Sequence, residues 1–120
     1  MRPADLAMLV LYAIGMSLGQ LMFKAASNAF ARQDGPLSLV AVIMNPWLLA
    51  GVSLYAFLTL LWVLVLVRVP LAYAYPFVAL SFIFTPVGAA LIYGEVLTMN
   101  YAIGLSLILA GLAVVVAGSP

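Results

Sequence analysis

The stretch "NPWLLAGVSLYAFLTLLWVLVLVRVP", residues 45–70, decides the fold class. It contains no charged residue before Arg68, and an α-helix of about 20 apolar residues crosses the hydrocarbon core of a bilayer. Asn45 is a favourable N-cap, and Pro46 suits the first helical position, where a backbone N–H would have no partner in the helix. The stretch therefore predicts a membrane-spanning helix over residues 46–67.

The whole chain shares this apolar character. Of its 120 residues, 68% are hydrophobic and only 6% are charged, more apolar surface than a soluble fold of this size could bury. The formal net charge of +1 provides no basic patch for nucleic acid. The chain has no Cys, no His and only three carboxylates, so the sequence predicts no enzyme active site, no metal site and no cofactor.

Three more segments have the length and composition of membrane spans: residues 4–26, 71–93 and 99–117. Pro76 and Pro86 fall inside the third span and predict that it is kinked or locally opened. The sequence thus predicts an all-α integral membrane protein, a single domain over residues 1–120 with four transmembrane helices and short loops.

A polar stripe runs along the first span and ends in "GQLMFKAAS", residues 19–27. At 100° per residue its members share one face, whereas Gly15 and Gly19 lie on roughly the opposite face. The stripe consists of Met16, Ser17, Gln20, Lys24 and Ser27. Such a stripe is expected to face other helices or a wet cavity. Lys24 either extends its ammonium group to the lipid headgroups or binds an anion, and phosphate is the anion that membranes supply.

Two charged residues at the ends of the later spans are candidates for a gate or an ion pair. Glu95 is expected on the same side of the membrane as Lys24, with which it could pair, whereas Arg68 and Tyr75 are expected toward the opposite side. Arg2 and Arg68 on one side balance Lys24 and Arg32 on the other, so positive charge specifies the orientation weakly.

On the fourth span, glycines recur at intervals of seven residues, at Gly104, Gly111 and Gly118. Small residues allow helix backbones to approach closely in lipid. We therefore expect this stripe to form a dimer interface.

Three stretches carry a resemblance to a known family: "SLGQLMFKAAS" (17–27), "LWVLVLVRVPLAYAYPFVALSF" (61–82) and "YGEVLTMNYAIGLSLILAG" (93–111). They resemble the small four-span members of the drug/metabolite transporter (EamA-like) superfamily, above all the subunits that flip undecaprenyl-phosphate-linked 4-amino-4-deoxy-L-arabinose for lipid A modification. The resemblance implies a multi-pass protein of the bacterial inner membrane that works as a homodimer or as a heterodimer with a related subunit.

The layout is also similar to that of the small multidrug-resistance transporters, which implies an antiparallel dimer. Those pumps depend on a glutamate in the first helix that binds protons and cationic drugs in turn. Alignment on Gly19 and Lys24 places Met16 at that position, which counts against drug efflux.

The sequence thus favours a flippase, or a flippase subunit, for an anionic lipid-linked monosaccharide whose polyprenyl tail stays in the membrane lipid. The expected headgroup contacts are Ser17, Gln20, Lys24, Tyr75, Ser81 and Thr85. One alternative is a small-solute or multidrug exporter of the same superfamily. A second is a non-transporting subunit that stabilises a membrane complex and uses its polar stripe to hold helices together.

Overall fold

The computed structural model describes residues 2–118, which form helices and connecting segments without any β-strand. In chain order the elements are α1 (Pro3–Ala31), α2 (Leu39–Ile43), α3 (Pro46–Leu66), α4 (Leu71–Ala74), a 3-10 helix (Tyr75–Leu80), α5 (Ser81–Tyr93) and α6 (Met99–Ala117). Within the described range four helical stretches are long and apolar enough to cross a membrane: Pro3–Ala31, Pro46–Leu66, Leu71–Tyr93 and Met99–Ala117. The chain is a multi-pass membrane protein with four long apolar helices.

The helix starts follow the capping residues that the sequence provides. The Asn45 side-chain oxygen accepts hydrogen bonds from the backbone N–H groups of Trp47 (2.9 Å) and Leu48 (3.1 Å) at the start of α3. The Thr98 hydroxyl oxygen accepts one from the N–H of Tyr101 (3.1 Å) at the start of α6. Both caps satisfy N–H groups that have no partner within their helix.

α1 is longer than the membrane span predicted from its apolar run. The span was expected to end near residue 26, but the helix continues to Ala31 and ends at Arg32. The length of an apolar run indicates only the part of a helix that lies in lipid. The helix itself continues beyond the lipid until the sequence favours another conformation. Here Gly35 (φ 90°) and Pro36 follow within a turn.

The third helical stretch (Leu71–Tyr93) changes its winding at Pro76. Pro76 is the second residue of the 3-10 helix that joins α4 to α5. Its ring cannot donate the hydrogen bond of a continuous α-helix, which explains why the winding changes here. Pro86, by contrast, lies inside α5 without ending it. The stretch closes at Gly94, which adopts the left-handed conformation (φ 68°) typical of a helix C-terminus.

α1 is the central helix of the bundle and packs against α3, α5 and the 3-10 helix. Gly15 and Gly19 form its contact with α3: a Cβ at Gly15 would lie 2.7 Å from Leu58, and one at Gly19 would overlap the ring of Tyr55. The glycines therefore permit close approach of the two helices, as the opposite-face position of Gly15 and Gly19 suggested.

A buried apolar cluster closes one end of the bundle. Its members come from the N-terminal half of α1, the end of α3 and the start of the third stretch, and they are Leu9, Val65, Val69, Ala74 and Phe77. Val116 of α6 packs against this cluster. Among the described residues, apolar packing therefore fills the end of the bundle that holds the α1 N-terminus, referred to below as the closed end.

Candidate functional site

A cavity of about 630 Å³ lies toward the opposite end of the bundle, between α1, the third helical stretch and the start of α6. Its apolar wall includes Met16, Val78 and Phe82. Its polar lining consists of Gln20, Lys24, Ser81, Thr85, Glu95 and Tyr101. The structure therefore brings together five of the predicted site residues and adds Tyr101, which no sequence pattern had indicated.

One face of α1 supplies one wall of this cavity. Met16, Gln20 and Lys24 follow one another at intervals of four residues, so they lie on the same face of the helix. Gly15 and Gly19 face α3 instead. The polar stripe thus faces a cavity that is closed on one side by protein, as expected for polar groups at membrane depth.

Lys24 and Glu95 share the cavity without forming an ion pair. Between residues 2 and 118, the one ion pair with an N···O separation within 4.0 Å joins Arg2 to Asp5 (3.3 Å) at the opposite end of the bundle. Neither the Lys24 ammonium nor the Glu95 carboxylate has a hydrogen-bond partner among the described residues. The pairing of Glu95 with Lys24 that the sequence suggested is therefore not formed, and both charges are available to a ligand.

Gln20 is positioned by a tyrosine that the sequence reading had not singled out. Its Nε2 donates a hydrogen bond to the Tyr55 hydroxyl (2.7 Å), and that hydroxyl donates to the Met16 carbonyl (3.2 Å). The signal was present in the sequence, because a tyrosine in an apolar helix needs a partner for its hydroxyl. These bonds fix the Gln20 amide and leave its carbonyl oxygen as an acceptor.

Ser17 connects α1 to α5 rather than lining the cavity. Its hydroxyl is buried and donates to the Ala13 carbonyl (3.1 Å), and it accepts from the Thr85 hydroxyl (3.0 Å). Tyr93 adds a second connection between these helices by donating to the Leu21 carbonyl (2.6 Å). Ser17 therefore holds Thr85 in place, and Thr85 itself reaches the cavity.

Ser81 also uses its hydroxyl proton within the protein. It donates to the Val78 carbonyl (2.7 Å) at the junction between the 3-10 helix and α5. Since Ser81 and Thr85 both donate to protein acceptors, each presents the cavity with oxygen lone pairs rather than a proton. This wall of the cavity therefore favours ligand groups that donate hydrogen bonds.

Tyr75 and Arg68 lie outside this cavity. The Tyr75 ring packs edge-on against Trp62 of α3 with a centroid separation of 6.4 Å. Each residue of a 3-10 helix rises about 2.0 Å, so Tyr75 lies roughly 12 Å from Ser81 along the axis, toward the closed end. Arg68 is exposed just beyond the end of α3. The structure thus separates these two residues from Lys24, as the predicted topology implied.

The glycine stripe of α6 has no packing partner within the described chain. A Cβ at Gly104 or Gly111 would meet no atom within 4 Å, and one at Gly118 would meet only carbonyls of α6 itself. In an apolar stretch of 18 residues on α6, 6% of the residues are buried in the described chain, compared with 28% in the corresponding stretch of α1. This face is therefore open to lipid or to another chain.

Comparison with known proteins identifies relatives that match almost the whole chain. A probable 4-amino-4-deoxy-L-arabinose-phosphoundecaprenol flippase subunit ArnE of Erwinia tasmaniensis is 33% identical over 110 residues, which cover 92% of this chain and 94% of that protein. The protein of the same name from Aeromonas salmonicida is 31% identical over 107 residues, covering 89% and 92% of the two chains.

A third relative, of the same name and from Enterobacter sp., is 34% identical over 94 residues, or 78% of this chain and 79% of its own. No protein-family model and no solved structure matches the chain. By their names these relatives are transport proteins rather than enzymes, and each is a subunit of a larger assembly.

Proposed function

Because the chain belongs to the family of ArnE-like flippase subunits, we propose that it is one subunit of a flippase in the bacterial inner membrane. The flippase moves a polyprenyl-phosphate-linked monosaccharide from one leaflet to the other. The names of the relatives specify undecaprenyl phosphate and 4-amino-4-deoxy-L-arabinose, and we extend that substrate to this chain.

The free ammonium group of Lys24 is the observation that carries this proposal. It lines a cavity of about 630 Å³, a volume within the range of roughly 300–1,000 Å³ that is typical of small-molecule sites. A phosphate and one sugar ring fit such a volume, whereas a polyprenyl chain does not. The headgroup therefore occupies the cavity with its phosphate on Lys24, and the tail remains in lipid.

Export of cationic drugs is the weaker alternative. Met16 lines the cavity at the position where the small multidrug pumps place their glutamate, and a thioether cannot exchange a proton for a cation. The carboxylate of Asp5, also on α1, lies at the closed end and is bound to Arg2. The described part of α1 thus offers the cavity no carboxylate for proton coupling.

A partner subunit completes the transport path. α1, the third helical stretch and the start of α6 enclose the cavity incompletely. On α6, Gly104 and Gly111 have no atom packed beside them in the described chain. We place a second four-span subunit against this face, either a copy of the chain or a related chain, with antiparallel orientation as the arrangement to test. Close approach along the glycines would extend the wall that α6 provides.

The test is transport of a labelled polyprenyl-phosphate aminosugar in proteoliposomes. The wild-type chain is compared with Lys24→Met, each alone and together with a related four-span subunit, and assembly is measured in parallel by cross-linking. We expect Lys24→Met to abolish flipping while assembly persists, because the substitution removes the cation and keeps most of the length of the side chain.

Each of the other outcomes selects a different role. Transport that is unchanged by Lys24→Met would leave the lysine as an anchor at the headgroups and overturn the site. Loss of assembly together with transport would favour a stabilising subunit that contributes no substrate contact. Activity that requires the second chain would identify a heterodimer.

A further inference from the structure

The cavity carries one free charge of each sign. Lys24 lies on α1, and Glu95 lies in the segment that connects α5 to α6. Their charged groups are more than 4.0 Å apart, and neither has an ionic partner among residues 2–118. A purely anionic ligand would be attracted by Lys24 and repelled by Glu95, so a lone phosphate does not account for both residues.

The neutral polar groups show a second asymmetry. The proton of Ser17 is used on the Ala13 carbonyl, so Thr85 must be the donor in the bond between the two hydroxyls. Ser81 likewise donates to a backbone carbonyl. The third helical stretch therefore presents acceptors to the cavity, and Glu95, which follows the C-terminus of α5, lies about 12 Å or more along the helix axis from Thr85.

From these two unpaired charges in one cavity we infer that Glu95 is a specificity residue that binds the ammonium group of a zwitterionic headgroup. The phosphate lies on Lys24, and the sugar ring spans the gap of more than 4.0 Å between the two charges. The amine donates to Glu95. The cavity thus selects lipid-linked amino sugars over lipid-linked neutral sugars.

This inference rests on the proposed function, because it assumes that Lys24 binds the phosphate. It adds a role for Glu95 that phosphate binding does not require. A carboxylate that accepts a charge-assisted hydrogen bond from an ammonium favours the amino sugar. The same carboxylate facing a neutral sugar loses that partner and still repels the phosphate.

The test is a comparison of dissociation constants for three probes on the purified full chain in nanodiscs. The probes are a polyprenyl-phosphate 4-amino sugar, the same lipid with its amine acetylated, and polyprenyl phosphate alone. The variants are Glu95→Gln, Lys24→Met and the control Asp34→Asn, which removes an exposed carboxylate from the loop between α1 and α2.

We expect Glu95→Gln to weaken binding of the amino-sugar probe by about tenfold, because a hydrogen bond to a charged group contributes at least that much. Binding of the acetylated probe should stay constant or become tighter. Asp34→Asn should change neither value. Lys24→Met should weaken binding of all three probes, since each carries the phosphate.

The possible failures are distinguishable. If Lys24→Met weakens all probes but Glu95→Gln affects amino and acetylated probes equally, the role of Glu95 is wrong and the proposed function stands. If the wild-type chain binds the amino and acetylated probes equally well, the selectivity is likewise refuted. If no probe binds, with or without the related four-span subunit, or if Lys24→Met has no effect, the proposed function and this inference fall together.

Discussion

Neighbouring residues of α1 have three different structural roles. Gly19 packs against α3, Ser17 bonds to α5, and Gln20 faces the cavity while Tyr55 holds its amide. Successive residues of an α-helix differ by 100° in direction, so neighbours in sequence meet different partners. Some residues of the polar stripe therefore line the cavity, and others connect helices. The polarity of a residue does not by itself show which of these roles it has.

A substitution at Met16 tests whether this face of α1 contacts an anion. Met16→Glu would place a carboxylate in the cavity on the face shared by Gln20 and Lys24. We expect it to weaken binding of a polyprenyl-phosphate sugar by about tenfold or more at neutral pH, because like charges repel strongly where water is scarce. Binding should recover as the pH falls and the carboxylate takes up a proton.

Met16→Gln is the matched control for that experiment, since it has nearly the same shape and no charge. Dissociation constants measured between pH 5 and pH 8 separate the effect of the charge from the effect of size and polarity at this position. Equal weakening by both variants, independent of pH, would indicate that bulk or polarity at this position matters and that charge does not.

Glycines have opposite roles on α1 and α6, although both helices are long and apolar enough to cross a membrane. On α1, side chains of α3 occupy the space beside Gly15 and Gly19. On α6, Gly104 and Gly111 have nothing beside them in the described chain. The same small-residue pattern thus marks an internal contact on one helix and an open surface on the other, and only the packed bundle distinguishes them.

Gly19→Ala should destabilise the bundle. Its methyl group would overlap the Tyr55 ring, which also bonds Gln20 and the Met16 carbonyl. Forcing a methyl group into a well-packed contact lowers the free energy of unfolding by about 1–3 kcal/mol. Unfolding of the purified chain in detergent micelles with increasing dodecyl sulfate measures this change.

Gly104→Ala is the control in the same helical context. Since no atom lies within 4 Å of the added carbon, the fold of the single chain should be as stable as the wild type or slightly more so. A similar loss of stability in both variants would mean that α6 packs differently from the described structure.

The whole molecule is asymmetric from end to end. An apolar cluster of α1, α3 and the third helical stretch fills one end of the described bundle, and the charged cavity lies toward the other. The positive charges do not share this asymmetry, because Arg2 and Arg68 on the closed side balance Lys24 and Arg32 on the cavity side. Positive charge therefore gives this asymmetric molecule little preference for one orientation in the membrane.

Removal of one arginine should shift that balance. Arg32→Gln leaves more positive charge on the side of Arg2 and Arg68, so we expect more molecules to place that side, and with it the C-terminus, in the cytoplasm. A topology reporter fused to the C-terminus measures the fraction. Arg68→Gln should shift the fraction the other way, and shifts in the same direction would show that charge does not control orientation.

The sequence by itself determined the features that depend on composition and on near neighbours. The apolar runs predict four long helices, Asn45 predicts the start of α3, and Pro76 predicts the change in winding, because each acts through lipid solvation or local backbone bonding. Which polar groups meet was decided only by the tertiary structure. Tyr55 bonds to Gln20 although the two residues are 35 positions apart in the chain. Tyr75 packs against Trp62 and does not line the cavity. Such contacts depend on how far each helix is shifted along its axis and rotated about it relative to its neighbours. Packing across the whole bundle determines both.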